Sequence, residues 1–314
     1  MAKIAETVTR LEFGTSFKRN IRLHRENRIL SIYSSLAIEN NSLTIEQVTD
    51  VIEGRLVVGR HAEIKEVKNA YQAYDRILTY DPYNPADFLK AHKLMTDGLI
   101  EESGRFRSGD VGVFDGGRAV HIGARPQFVS GLISDLLAWG RKSDLHPLLK
   151  SGIIHYEIET IHPFADGNGR LGRLWQTLIL SQWNDIFSMI PMESVIYEKR
   201  LGYYEAIEAS RKDNDSGQFI EFMLSALYVS LIEQISGGER GGESGGEKLR
   251  LNATQAAVLA AIRQSDQITT EQMIIAVGKT RSTIERAIKA LKEKGVLSRE
   301  GPDKGGRWII ISHP

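Results

Sequence analysis

Residues 162–173 read His-Pro-Phe-Ala-Asp-Gly-Asn-Gly-Arg-Leu-Gly-Arg, and they decide how the rest of the chain is read. The run Asp166-Gly167-Asn168-Gly169 interrupts helical patterning on both sides. Two glycines so close let successive backbone N–H groups converge on an anion. The helix that follows adds the partial positive charge of its N-terminus. Arg170 and Arg173 stand three apart, on one face of that helix's first turns, and guanidinium groups suit phosphate oxygens. Asp166 is a hard oxygen ligand beside this nest, suited to a phosphate-bound Mg²⁺. His162 is the only group in the stretch that titrates near neutral pH, which makes it the candidate general base. Together these parts describe a phosphate-transfer site with an acceptor to be deprotonated.

Composition limits what else the chain can be. It has 314 residues, 40 Lys and Arg against 40 Asp and Glu, 41% hydrophobic residues and no cysteine. That is enough apolar material for a core, and enough length for one large or two smaller domains. Without cysteine there are no disulfides, thiolate metal sites, iron–sulfur clusters or cysteine nucleophiles. No apolar run approaches the ~18 residues of a membrane span, and Met1–Lys18 lacks the apolar core of a secretory signal. A cytoplasmic protein with no membrane contact is expected.

Residues 236–247 read S-G-G-E-R-G-G-E-S-G-G-E, a flexible linker by composition. Before it, residues 1–100 form an N-terminal helical region and 101–235 the body that carries the motif. Apolar residues recur at helical spacing in Glu63–Leu78 (Ile64, Val67, Ala70, Tyr71, Tyr74) and Phe128–Trp139 (Phe128, Leu132, Ile133, Leu136, Leu137). Helical patterning also runs through Asp87–Ile100, from Pro147 to about Thr160, and through Leu171–Trp183 and Phe219–Ile235. The exception is Val111–Ile122, where Val111, Val113, Val120 and Ile122 flank the turn signal Asp115-Gly116-Gly117, as in a hairpin. His155 and Glu159, four apart, read as a packed histidine and its neighbour rather than as a metal pair.

After the linker, residues 248–314 change character. Ala253–Ile262, a segment capped by Thr269 or Thr270 and running through Val277, and Arg281–Lys294 read as helices, followed by short strands at 296–298 and 308–311 around Gly301–Gly306. This order resembles a winged helix-turn-helix. From residue 250 on there are 11 Lys and Arg against 6 Asp and Glu, a net of +5, while the remainder nets −5. Arg281, Arg286, Lys289, Lys292, Lys304 and Arg307 would supply phosphate contacts if the partner is DNA. Contact with protein is the alternative.

The stretch 162–173 resembles the motif of the Fic family, H-P-F-x-D/E-G-N-G-R-x-x-R, at every specified position. The resemblance implies a mostly α, Fic-type helical fold with a β-hairpin flap. It implies transfer of AMP from ATP to a Ser, Thr or Tyr hydroxyl of a target protein, which could be the chain itself. In those terms His162 takes the hydroxyl proton and Asp166 holds Mg²⁺ between the α- and β-phosphates. Gly167, Asn168 and Gly169 form the anion hole, and Arg170 and Arg173 hold the outer phosphates. Tyr203 and Tyr204 fall in the segment that lines the adenine side. The flap, here Val111–Ile122, docks the target by strand addition. Relatives that act as kinases on a translation factor carry Lys at the position of Gly169, so Gly169 favours nucleotidyl transfer. Family members often form dimers, and a homodimer is expected on that ground.

Residues 35–40 read S-L-A-I-E-N. They resemble the family's N-terminal inhibitory pattern: Ser or Thr, three residues, Glu, then Gly or Asn. On a helix over about 30–40, Ser35 and Glu39 share a face. Glu39 paired with Arg173 would take that donor from the γ-phosphate and leave the α-phosphate out of line. Two other outcomes stay open: a Fic-fold enzyme that transfers another phosphate-containing group or removes AMP, and a DNA-binding regulator whose Fic domain senses nucleotide.

Overall fold

Local signals set many of the helix ends. The computed structural model describes residues 1–13, 17–115, 118–239, 253–265, 268–293, 297–300 and 307–310. They fall into two compact units, Met1–Glu243 and Ser244–Pro314. The first begins with α1 (Ala2–Phe13) and α2 (Ile21–Ile38). Asn20 starts α2 by accepting the Leu23 N–H at 3.0 Å. In α3 (Ile45–Ile52), Thr44 and Gln47 form a capping box. After α4 (His61–Asp75), α5 (Pro85–Thr96) has Pro85 in its first turn and Asn84 accepting the Ala86 N–H. Then come the hairpin strands β1 (Gly112–Asp115) and β2 (Arg118–Ile122), and helices α6 (Pro126–Lys142), α7 (Pro147–Ile161) and α8 (Asn168–Trp183). Three more helices, α9 (Met192–Glu198), α10 (Arg200–Asp213) and α11 (Gly217–Glu239), close the unit.

The mostly helical architecture expected from the sequence is present, with its hairpin. Gly112 pairs with Ile122 and Val113 with His121, after which an irregularity in register sets Phe114 against Ala119. Gly116 and Gly117 of the expected turn lie outside the described residues, as do the side chains of Val113, Val120 and Ile122.

Two apolar clusters flank α8. One gathers Ile32, Val67, Phe88, Ile133, Ile158, Phe164 and Trp175; the other gathers Val8, Leu11, Phe187, Ile196, Tyr203 and Phe219. Leu174 of α8 joins the first and Leu180 the second. A helix buried on most of its circumference belongs at the centre, so the motif at its N-terminus is held on a rigid base. Trp175 is fully buried, and its indole N–H donates to the Pro82 carbonyl at 2.9 Å.

Two expectations shift. On α6 the buried face is Val129, Ile133 and Leu137, while Phe128 and Leu132 are 57% and 41% exposed. Apolar residues at both 128 and 129 leave the phase of the face undecided by spacing. The expected linker start at 236 falls inside α11, which continues to Glu239; residues 240–247 lie outside the described set.

The second unit contains α12 (Ala253–Gln264), α13 (Thr270–Val277), α14 (Arg281–Glu293) and the antiparallel pair β3 (Leu297–Glu300) and β4 (Arg307–Ile310). Thr269 and Gln272 cap α13, and Gly278, at φ 66°, ends it. Val258, Ile262, Met273, Ile284, Leu291 and Trp308 form its core. Residues 301–306, including Lys304, lie outside the described set. Among the described residues no helix is long and apolar enough to cross a membrane.

Candidate active site

α7 stops at His162, which adopts a left-handed conformation (φ 52°, ψ 63°), and Pro163 cannot continue the helix. The loop to α8 is tied at nearly every point. Asn168 accepts the Phe164 N–H and donates to the Phe164 carbonyl, both at 2.9 Å. Its side chain is thereby committed to holding the loop, and what it offers an anion is its backbone N–H. Gly167, at φ 87°, is the N-cap of α8. The first backbone bond of the helix runs from Leu171 N–H to the Gly167 carbonyl at 3.0 Å, so the N–H groups of Asn168, Gly169 and Arg170 precede the intrahelical ladder. Free donors at a helix N-terminus suit an anion, the role the sequence reading expects of them.

His162 places Nδ1 3.4 Å from the Glu159 carbonyl. That contact favours the tautomer with hydrogen on Nδ1, leaving Nε2 as the basic nitrogen. Asp166 accepts the Gly167 N–H at 2.6 Å through Oδ1 and meets Arg170 Nη2 at 2.7 Å through Oδ2. Burial disfavours its charge, but Arg170 and the Gly167 N–H outweigh it and hold the carboxyl below its ordinary pKa.

The two arginines have separate partners. Arg170 bridges Asp166 and Glu66 of α4, the latter at 3.1 Å. Arg173 is fully buried. It donates through Nε to Ser35 Oγ (3.0 Å), and through Nη2 to the Ser35 carbonyl (2.9 Å) and Glu39 Oε1 (2.8 Å). Burial works against the Arg173 charge, yet Glu39 and its other acidic neighbours raise its pKa above the ordinary value. Nη1 has no hydrogen-bond partner among the described residues. A Cβ on Gly169 would stand 2.3 Å from Glu39 Oε1 and 3.0 Å from Arg173 Nη1, so the glycine makes room for the Glu39 carboxylate at the head of α8. Ser35 and Glu39, on one face of α2 as their spacing implied, both meet Arg173, with Glu39 as the C-cap residue of α2.

Tyr203, expected on the nucleotide side, is 1% exposed and turned inward, its hydroxyl 3.1 Å from both His155 Nε2 and Glu159 Oε1. Its neighbour Tyr204 is the open ring of the pair, 46% exposed, and donates to the Ile38 carbonyl at 3.3 Å. His155 also meets Gln176 at 2.6 Å, a packed histidine.

Sequence reasoning missed three residues. Glu66 is one. His92 is another: it is fully buried, stacks on Phe164 (centroids 3.6 Å, 10°), accepts the Gly104 N–H at Nδ1 and donates from Nε2 to the Asp166 carbonyl at 2.9 Å. Arg107 is the third, donating to the His162 carbonyl at 2.7 Å. The only signal for His92 was its place on the inward face of α5, beside Phe88, Ala91 and Met95.

Burial pushes the His92 imidazole down from 6.5 to about 4. The unfolded chain therefore takes up this proton at a higher pH than the folded chain. Stability contributed by neutral His92 is full above about pH 6.5 and is lost as pH falls toward about 4, by about 3 kcal/mol in total. Urea unfolding of the metal- and nucleotide-free chain between those pH values should show this slope. His92→Gln, which cannot titrate, should flatten it, and an unchanged slope in that variant would refute the assignment.

Residues 82–180 match the family described as Fic/DOC. A Fic family protein from Desulfovibrio desulfuricans G20, known from its crystal structure, is 38% identical, with a TM-score of 0.73 over 100% of this chain and 95% of that one. Protein adenylyltransferase fic-1 of Caenorhabditis elegans is 26% identical over 237 residues, covering 72% of this chain and 44% of that protein. Protein adenylyltransferase Fic of Nematostella vectensis is 28% identical over 217 residues, covering 64% and 47%. The chain spans about half the length of the curated relatives it matches. With the motif assembled at the head of a central helix and a near full-length relative at this identity, the chain belongs to the Fic family.

Proposed function

We propose that the chain is a self-inhibited protein adenylyltransferase. The observation that carries this reading is Arg173, buried at the head of α8, with Glu39 on one nitrogen and another nitrogen unpartnered. A guanidinium in that state suits a phosphate oxygen that would replace the carboxylate. The α8 N-terminus receives the nucleotide phosphates, and Tyr204 rather than Tyr203 offers a ring to the adenine side. Target backbone adds to the edge of the β1–β2 hairpin. His162 Nε2 takes the proton of the target hydroxyl as its oxygen attacks the α-phosphorus of ATP. The bond to the bridging oxygen of the β-phosphate breaks, pyrophosphate leaves, and AMP stays on the target as a phosphodiester.

Asp166 fits a Mg²⁺: it is an ionised hard donor with a side chain 56% exposed. No cluster of three or more His, Asp or Glu forms a metal cage among the described residues, so phosphate oxygens would complete the shell. When bound, the cation neutralises phosphate charge. Asp166 is oriented for it by Arg170 and Gly167.

Mass spectrometry of proteins incubated with the Glu39→Gly chain, ATP and Mg²⁺ tests this reading. An AMP increment on a Ser, Thr or Tyr, on a partner or on the chain itself, is expected. A different increment, or removal of AMP from a modified protein with no addition, would replace it with one of the alternatives.

A second reading concerns residues 253–310, whose order of three helices and a hairpin fits a winged helix. α14 buries Ile284, Ala287, Ile288 and Leu291 and exposes Arg281, Arg286 and Lys289. Glu271 and Glu285 sit beside Arg281, which tempers the field at one end of that face. A helix presenting cations to a major groove fits duplex DNA. A gel shift of the full chain on duplex DNA should appear near ~50 mM salt and fade by ~200 mM. No shift at low salt removes DNA as a partner and leaves protein contact.

A further inference from the structure

Arg107 carries a charge that the reaction above does not use. It is 3% exposed, and among the described residues it forms no ion pair. Burial lowers its pKa, opposed by Asp110. Its guanidinium faces main-chain carbonyls instead. Nε donates to His162 O at 2.7 Å, Nη1 to Gly109 O at 2.7 Å, and Nη2 to Ala124 O and, at 3.5 Å, to Ile161 O. Its own backbone N–H donates to the Pro163 carbonyl at 3.1 Å.

Those carbonyls come from three segments. Gly109 lies on the stem entering β1 and Ala124 on the stem leaving β2. Ile161, His162 and Pro163 form the start of the active loop. The hairpin base is closed by Gly123 N–H to Val111 O (3.0 Å) and joined to the loop by Ala124 N–H to Ile161 O (3.2 Å). His162 itself holds a left-handed conformation that a non-glycine residue adopts only under restraint. A buried cation without a carboxylate is costly, and only a planar fork of several donors reaches carbonyls on three segments at once.

We infer that Arg107 is a positioning residue that sets the His162 imidazole in register with the hairpin, and so with the target hydroxyl the hairpin presents. The inference rests on the adenylyl-transfer reading for its catalytic consequence, and on geometry alone for the link between Arg107 and His162. Arg107→Lys keeps the charge and loses the fork. In the Glu39→Gly chain it should lower kcat for transfer by about 10²-fold, the scale of an ångström-sized misplacement. KM for ATP should stay within about twofold, because the phosphate end of α8 is untouched. Gly123→Ala gives a second variant with no change of charge. Its Cβ would stand 2.9 Å from Arg107 Nη2 and 3.2 Å from His162 Cβ, and it should show the same split.

A readout independent of activity is the imidazole NMR signal of His162, assigned by its loss in His162→Ala. Both variants should move it and leave the signal of exposed His61 in place. If the Glu39→Gly chain transfers nothing, the transfer reading fails and the NMR result alone judges the link. An unmoved His162 signal in both variants overturns the inference. So does a parallel loss of kcat and ATP affinity, which would mark a general structural role.

Discussion

Replacing Glu39 with glycine should raise transfer of label from ATP to protein by at least about tenfold, the effect of restoring one misplaced phosphate contact. In the structure Arg173 Nη2 is held by Glu39 at 2.8 Å and by the Ser35 carbonyl, so on the proposed reading a γ-phosphate arriving at α8 would meet a donor already taken. Transfer of this kind depends mostly on positioning and charge stabilisation. A triphosphate displaced at its outer end presents its α-phosphorus away from His162. Removing the carboxylate frees the donor without touching the loop. It also leaves the Arg173 charge buried with one carboxylate partner fewer, which is destabilising. The variant should therefore melt at a lower temperature than the parent, and ATP with Mg²⁺ should recover the loss, because a ligand that binds only the folded state stabilises it. Glu39→Gln, which keeps an acceptor but loses the charge, should fall between parent and glycine variant. Labelling unchanged in Glu39→Gly would sink the inhibitory reading while leaving the transferase reading standing.

The second large effect is His162→Ala in the Glu39→Gly background. Transfer should fall by about 10²- to 10⁴-fold, the usual contribution of a positioned general base. Nucleotide affinity should hardly change. The proposed phosphate contacts are the α8 backbone N–H groups and Arg173, with Asn168 and Gly167 setting the loop, and none of these depends on the imidazole. Persistent transfer would remove His162 from its role. Lost transfer together with lost ATP binding would mean that the alanine had collapsed the loop, and a fold check by Tm would separate the two.

Much of the arrangement at the candidate site was legible because it is local. Asp166, Gly167 and the first turn of α8 come together from adjacent residues, and helical spacing places Ser35 and Glu39 on one face. What could not be read were partners brought from afar in the chain. Glu66 meets Arg170 across 104 positions and Arg107 meets His162 across 55; nothing in either local pattern marks the other. Tyr203 and Tyr204 show the same limit. Adjacent residues on a helix point in different directions, and only packing against His155, Glu159 and Phe219 decides that Tyr203 turns inward.

By itself the sequence determined the family's motif, its helical setting, the hairpin before it and the pairing candidate upstream, since each depends on residues within a few positions of one another. Tertiary structure decided that Glu66 holds Arg170, and that His92 and Arg107 brace the loop from behind. It also set which face of α6 is buried. The physical reason is that burial and hydrogen-bond satisfaction are settled among segments far apart in the chain, and a buried donor takes whichever acceptor packing brings within reach.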